Sequence, residues 1–416
     1  MGAACDLLLR GAGELVTMST PRGLGVVPDG ALAARGGRII WAGAEADLMA
    51  NVDVPGDALV IDAEGACVLP GFVDAHTHLV FGGERSGEYA ARLGGAGYLE
   101  IQAAGGGIMA TVRGTRAASL EQLSALAHKR LDSFVRCGTT TLEAKTGYGL
   151  SLDDERRMLQ AAKTPHATRR VHTLLAAHST PEEYAGRDDE YISLVCGEIL
   201  PALAAEARFV DVFCDQGAFT VSQSRRVLEA GAALGLRVKM HAEELAHTGG
   251  AALAAELGAV SADHLIFASA ADIAAFAAGG TSAVLLPGTS YTLGMPYAPA
   301  RAMLEAGVNV ALATDFNPGT CYCENLQVVI SLACQQMRLT PDEAVYAATM
   351  GGARALGLEA EAGSLEVGKR CDFILLDAQR HEELPYHFGV NLVTDVVIGG
   401  ALAVAGGAVI AGGVPQ

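Results

Sequence analysis

Between residues 65 and 362, short apolar, often β-branched runs alternate with stretches of helical apolar spacing, and this alternation restricts the fold more than any other feature of the chain. Ser119 and Gln122 form a capping-box pattern, after which Leu120, Leu123, Leu126, Leu131 and Phe134 mark one helical face as far as Gly138. Thr139-Thr140-Thr141-Leu142-Glu143 follows as a strand, and Ser151 opens the next helix. Further strands are predicted at Val171–Ala176, Phe209–Phe213, Arg237–Met240, Ser261–Asp263, Thr281–Leu286 and Val308–Ala313. With the run Val68–Asp74 they make eight, which predicts an α/β chain folded as a (β/α)8 TIM barrel. The rival topology is an open doubly wound sheet. No Gly-X-Gly-X-X-Gly opens a helix after a strand, however, and Gly105-Gly106-Gly107 lacks that spacing, so the cluster reads as a mobile loop over a site.

The two ends differ from the middle. Asp6–Leu9, Ala31–Ala34, Arg38–Ala42 and Ala58–Asp62 carry all-β punctuation, as do Cys371–Asp377 and the tail from Val393. They are expected to pair as one small β-sandwich, residues 1–64 with 363–416, beside a catalytic barrel of residues 65–362. The stretch Val396–Val414 has no charge and is long enough to raise the question of a membrane helix, but its glycine pairs cut it to strand lengths. Asp6 and Arg10 bracket only three leucines, so no export signal is read at the start of the chain. The nine cysteines are scattered and odd in number, which argues for a reducing cytoplasm; Cys321-Tyr322-Cys323 reads as loop packing, not as a zinc site. A net charge of −18 excludes nucleic acid and anionic membrane as partners and favours a small substrate. If that substrate is an anion, the site must supply its own cation.

Barrel strands bring their carboxyl ends to one mouth, where polar residues do chemistry. Five of the eleven histidines fall at such exits: His76 and His78 after the first strand, His178 after the third, His241 after the fifth and His264 after the sixth. Asp315 follows the eighth. His76 and His78 stand two apart in an extended segment and can reach one point. Three imidazoles (His76, His78, His241) and the Asp315 carboxylate satisfy a zinc-like ion with room for a water, which such an ion acidifies to a pKa of about 7. His241-Ala242-Glu243-Glu244 places two carboxylates beside this centre; Glu244 is expected to shuttle the proton, with Glu243 as the alternative. His264 is suited to steady a developing oxyanion or to orient water. Arg85, seven residues after His78, offers a guanidinium to a carboxylate. Tyr148, between glycines, and Asn317-Pro318-Gly319-Thr320 are candidate ligand contacts. His128, His166, His247, His381 and His387 are assigned no role, and His172 is expected to pack within its strand.

These blocks resemble a known family. Phe72-Val73-Asp74-Ala75-His76-Thr77-His78 resembles the first metal motif of the amidohydrolase superfamily. The longer context resembles the imidazolonepropionase family within it: His78 through Arg85, Gly105-Gly106-Gly107-Ile108, Glu143 through Leu150, His241 through Leu245, and Ala313 through Gly319. The resemblance implies a cytoplasmic enzyme of histidine degradation, expected to be a homodimer. Its reaction would be metal-hydroxide hydrolysis of the ring amide C–N bond of 4-imidazolone-5-propanoate to N-formimidoyl-L-glutamate, with one zinc or iron ion per subunit. It places the metal on His76, His78, His241 and Asp315, and catalysis on Glu244, His264 and Asp315. Substrate contacts fall on Arg85, Tyr98, Tyr148, His178, Glu244, Asn317, Gly319 and Thr320. Cys321-Tyr322-Cys323 departs from the smaller polar residues expected after Asn317. Two other readings stay open at this point: a cyclic-amidine or nucleobase deaminase of the same superfamily, which would release ammonia, and a barrel that only binds.

Overall fold

In the computed structural model, which describes residues 3–20, 23–96, 100 and 105–410, the predicted alternation becomes eight parallel strands in sequential order. They are β1 (Phe72–Asp74), β2 (Thr139–Lys145), β3 (Arg169–Ala177), β4 (Phe209–Cys214), β5 (Arg237–Ala242), β6 (Ser261–His264), β7 (Ser282–Leu285) and β8 (Val310–Leu312). Almost every residue of β1, β2, β6, β7 and β8 is buried, as expected for parallel strands covered on both faces. The barrel closes at its carboxyl rim. Beyond β1 and β8, the Asp315 amide donates to the His76 carbonyl (3.0 Å) and the His78 amide to the Phe316 carbonyl (2.9 Å). The Asp74 carboxylate accepts the Thr314 amide (3.1 Å) and hydroxyl (2.7 Å). This closure sets His76, His78 and Asp315 side by side.

Helical turns Ala347–Gly351 and Gly352–Ala355 lie against the same junction. A β-carbon on Gly351 would stand 2.3 Å from the Val310 carbonyl oxygen, and one on Gly352 would stand 2.2 Å from that of Val73. Backbone cannot move aside as a side chain can, so Gly352→Ala is expected to destabilise by about 1–3 kcal/mol. A chemical-denaturation midpoint unchanged from wild type would refute this packing role.

The predicted helix after Ser119 runs Leu120–Arg136, with both bonds of the capping box made: Gln122 N–H to Ser119 Oγ (3.2 Å) and Ser119 N–H to Gln122 Oε1 (2.9 Å). Leu123, Leu131 and Phe134 are buried, and Gly138 (φ 96°) ends it where a β-carbon would meet the Phe72 ring.

Both chain ends meet in one nine-stranded sheet whose path runs Ala408–Val409, Ala401–Ala405, Val393–Ile398, Phe373–Leu376, Cys67–Pro70, Leu7–Val16, Val26–Arg35 and Arg38–Ala44, with Leu59–Asp62 paired to Leu7–Val16. Its strands alternate with period two between two cores. Leu15, Val68, Phe373, Leu375 and Val397 enclose a core within the sheet's own fold. Val16, Cys67, Leu69, Ile374, Leu376 and Val396 face the other way and join the main core around the barrel. The apolar run before His76 is therefore shared: Cys67–Pro70 belongs to this sheet and Phe72–Asp74 to the barrel, with Gly71 between them. Turns at Gly399-Gly400 and Gly406-Gly407 divide the apolar tail, and no helix of the described residues is long and apolar enough to cross a membrane. All nine cysteines are free thiols.

Candidate metal centre and active site

His76, His78 and His241 each direct a ring nitrogen to a common point, the three atoms lying within 4.8 Å of one another, with all three side chains buried. Partners on the far side of two rings assign their tautomers: His76 Nδ1–H donates to Asp263 (2.7 Å), and His241 Nδ1–H to Asp211 (3.0 Å). Each Nε2 is then a buried lone pair, and among the described residues neither finds a hydrogen-bond donor. Asp315 Oδ1 faces them, 3.4 Å from His76 Nε2 and 3.7 Å from His78 Nε2. Acceptors so arranged in a buried space need a proton or a cation between them. Burial holds all three imidazoles well below their usual pKa, hence neutral, and pushes the Asp315 carboxyl up to about 7. Three neutral imidazoles and one carboxylate are a donor set for a divalent transition ion, so the residues fit the metal that the sequence calls for.

Beneath the imidazoles the barrel interior is charged. Lys145 Nζ contacts Asp211 (2.6 Å), Glu143 (3.0 Å) and Asp263 (3.3 Å), while Lys239 Nζ contacts Glu143 (2.9 Å) and donates to the Ala75 carbonyl (2.8 Å). All five side chains are fully buried. Burial opposes charge on Asp263, yet Lys239 and Lys145 hold its pKa below the usual value. Three carboxylates against two ammonium groups leave one net negative charge under the imidazoles, which complements a cation above them.

Three rim residues occupy left-handed backbone, Glu243 (φ 56°), His264 (φ 76°) and Asp315 (φ 51°), a conformation that costs of order 1–3 kcal/mol each and aims a side chain where an extended strand cannot. The two candidate carboxylates separate cleanly. Glu243 accepts backbone amides from Thr248 (2.7 Å), Gly249 (3.0 Å) and Ala251 (3.1 Å), so it anchors the following helix. Glu244 instead lines the cavity, with Oε2 3.6 Å from His264 Nε2. Burial, then the neighbouring Asp315 and Asp215, raise its pKa well above the ordinary carboxylate range.

The cavity above the centre has a volume of about 690 Å³. Tyr148 and His178 form one wall; the His178 Nδ1–H donates to the Gly147 carbonyl (3.1 Å), which leaves Nε2 free, and its ring stacks on His78 with centroids 5.0 Å apart. Arg85 also lines the cavity, bonded to Glu88 through Nε (3.0 Å) and Nη2 (2.8 Å). A β-carbon at Gly319 would stand 2.2 Å from Arg85 Nη1, so a larger residue there would displace the guanidinium from its present place. Asn317 folds its turn with its own side chain, Oδ1 accepting the Gly319 (2.8 Å) and Thr320 (2.7 Å) amides. Arg130 donates to the Leu79 (2.8 Å) and Phe81 (3.1 Å) carbonyls, tying down the segment that follows His78.

The sequence model of the amidohydrolase family matches residues 67–403. The imidazolonepropionase of Symbiobacterium thermophilum is 51% identical over 418 residues, covering 97% of this chain and 98% of that protein. That of Geobacillus kaustophilus is 45% identical over 419 residues, covering 97% and 99%. The chain belongs to the imidazolonepropionases of the amidohydrolase family. Solved structures share the architecture at lower identity. An adenosine deaminase from Xanthomonas campestris with bound zinc superposes with a TM-score of 0.75 at 23% identity, covering 99% of this chain and 95% of that one. An atrazine chlorohydrolase from Arthrobacter aurescens gives 0.72 at 18%, covering 97% and 96%.

Among the predicted site residues, His76, His78, His241, His264, Asp315, Glu244, Arg85, Tyr148, His178, Asn317, Gly319 and Thr320 all gather at this mouth, and only Tyr98 lies outside the described residues. Residues that the sequence did not reveal are the supports: Asp211 and Asp263 behind the imidazoles, Lys145 and Lys239 between them, and Glu88 on Arg85. A faint signal existed, in that Glu143 and Lys145 stand two apart in one strand and so face one side of it.

Proposed function

We propose that this chain hydrolyses 4-imidazolone-5-propanoate to N-formimidoyl-L-glutamate at the centre built by His76, His78, His241 and Asp315. The observation that carries the proposal is the set of functions that line one cavity: the metal donors, the Glu244 carboxylate and the Arg85 guanidinium. A zinc or iron ion held there would supply Lewis acidity and make water available as a nucleophile near neutral pH. Water adds to the ring carbonyl carbon, the bond from that carbon to ring nitrogen breaks, and the nitrogen gains a proton. Glu244, with its raised pKa, takes the proton from water and hands it to the departing nitrogen. His264 faces the same space and steadies the oxygen on which charge develops. Arg85 holds the propanoate, with Tyr148, His178 and the Asn317–Thr320 turn positioning the ring. The chain is read as a cytoplasmic homodimer on the family resemblance alone.

Incubation with 4-imidazolone-5-propanoate is expected to give a product heavier by one water, without ammonia, from protein carrying zinc or iron. Release of ammonia from a cyclic amidine, with no turnover of the imidazolone, would favour the deaminase reading. Arg85→Met is expected to raise KM by about 10–100-fold with a smaller effect on kcat, the loss of one charge-assisted pairing. An unchanged KM would remove Arg85 from the carboxylate site.

A further inference from the structure

Arg85 caps the helix Ser86–Leu93, and Glu88 and Arg92 lie three and seven residues further on. On a helix, residues three and four apart share a face, which puts Glu88 on the same face as Arg85 and Arg92. It bonds only one. Glu88 Oε2 accepts Nε (3.0 Å) and Nη2 (2.8 Å) of Arg85 and the Gly107 amide (3.1 Å). Arg92 Nη2 is buried and has no hydrogen-bond partner among the described residues; its guanidinium carbon lies 5.5 Å from the Tyr89 ring centre. All three charged side chains line the cavity above the metal centre.

The cation assigned to the substrate is thus already neutralised, and a second cation nearby has, among the described residues, no carboxylate paired with it and a guanidinium nitrogen without a partner. We propose that Glu88 is an exchangeable counter-ion: the substrate's propanoate takes Arg85 from it, and Arg92 receives the displaced carboxylate. One ion pair before binding becomes two after it, so the carboxylate that gives up Arg85 is not left alone in the cavity. Neutral ring compounds cannot make the exchange, and the device therefore selects for a carboxylate-bearing substrate in a protein whose net charge of −18 repels anions. Arg92 acts here as a positioning residue, through Glu88 and not on the substrate.

The inference rests on the reading of Arg85 above, and steady-state kinetics with 4-imidazolone-5-propanoate on the metal-loaded enzyme separates the two. Arg92→Gln is expected to raise KM roughly three- to tenfold, as for a partly buried ion pair, with kcat little changed. Arg92→Lys keeps the charge and should stay near wild type. Glu88→Gln, which can still accept the Gly107 amide, should show an equal or lower KM. The double variant Glu88→Gln/Arg92→Gln should return to the KM of Glu88→Gln, because no displaced charge then needs a partner. A double variant that keeps the raised KM of Arg92→Gln, an unchanged KM in Arg92→Gln, or a raised KM in Glu88→Gln would each overturn the exchange. If Arg85→Met leaves KM unchanged, the reading of Arg85 itself fails, whatever the other variants do.

Discussion

Glu244→Gln is expected to keep its bound metal and lose turnover by about 10²–10⁴-fold, the range for removing a positioned proton carrier. The amide conserves size and hydrogen bonding but cannot take up and release a proton. Two features make this test specific to Glu244. Its backbone amide is held by Asp215 (2.6 Å), so the peptide should stay in place when the side chain changes. Glu243, the neighbouring carboxyl, is committed to three amides at and just before the start of the next helix and cannot substitute. Metal analysis beside kcat and KM is the measurement; near-normal turnover in protein with full metal would exclude Glu244 as the shuttle.

Lys145→Met should be the most damaging single change to the centre, although Lys145 lies below the ligands. Without it, Asp211, Glu143 and Asp263 keep only Lys239 as a counter-charge inside the barrel. Breaking a buried ionic set on one side costs about 3–5 kcal/mol. The same change frees the two carboxylates that fix the His76 and His241 rings, and loss of such support lowers metal affinity by about 10–100-fold. Thermal denaturation and metal retention against a chelator would both have to fall. If stability dropped while metal affinity held, Lys145 would be a purely structural cation.

The eight barrel strands and the cluster of histidines at their exits were legible because both follow from period. Apolar runs of strand length between capped helices fix the order of elements, and a polar residue just after such a run points into the mouth. Glu243 and Glu244 were not separable from sequence, since adjacent residues differ only in which way a strained backbone turns them, and φ at Glu243 is 56°. The charged interior layer was hidden for a related reason. A lysine at the end of a strand reads as an outward residue unless its counter-ions are known, and those of Lys145 come from β2, β4 and β6, up to 118 residues away. The run Val68–Asp74 was read as one barrel strand; hydrophobicity states that it is buried but not by which sheet, and its first three residues pair elsewhere.

That shared run also has a consequence for how the chain is made. Leu7–Val16 and Cys67–Pro70 can pair early, but the other edge of Cys67–Pro70 finds its partner only in Phe373–Leu376. About 300 residues separate them, roughly 15–60 s of synthesis at 5–20 residues per second. Through that interval Val68 and Leu69 present an open apolar edge beside the first metal ligands, the kind of surface on which nascent chains stick to one another. Production of this protein should therefore depend on chaperone capacity more than its finished stability suggests, and slowing elongation should worsen the yield.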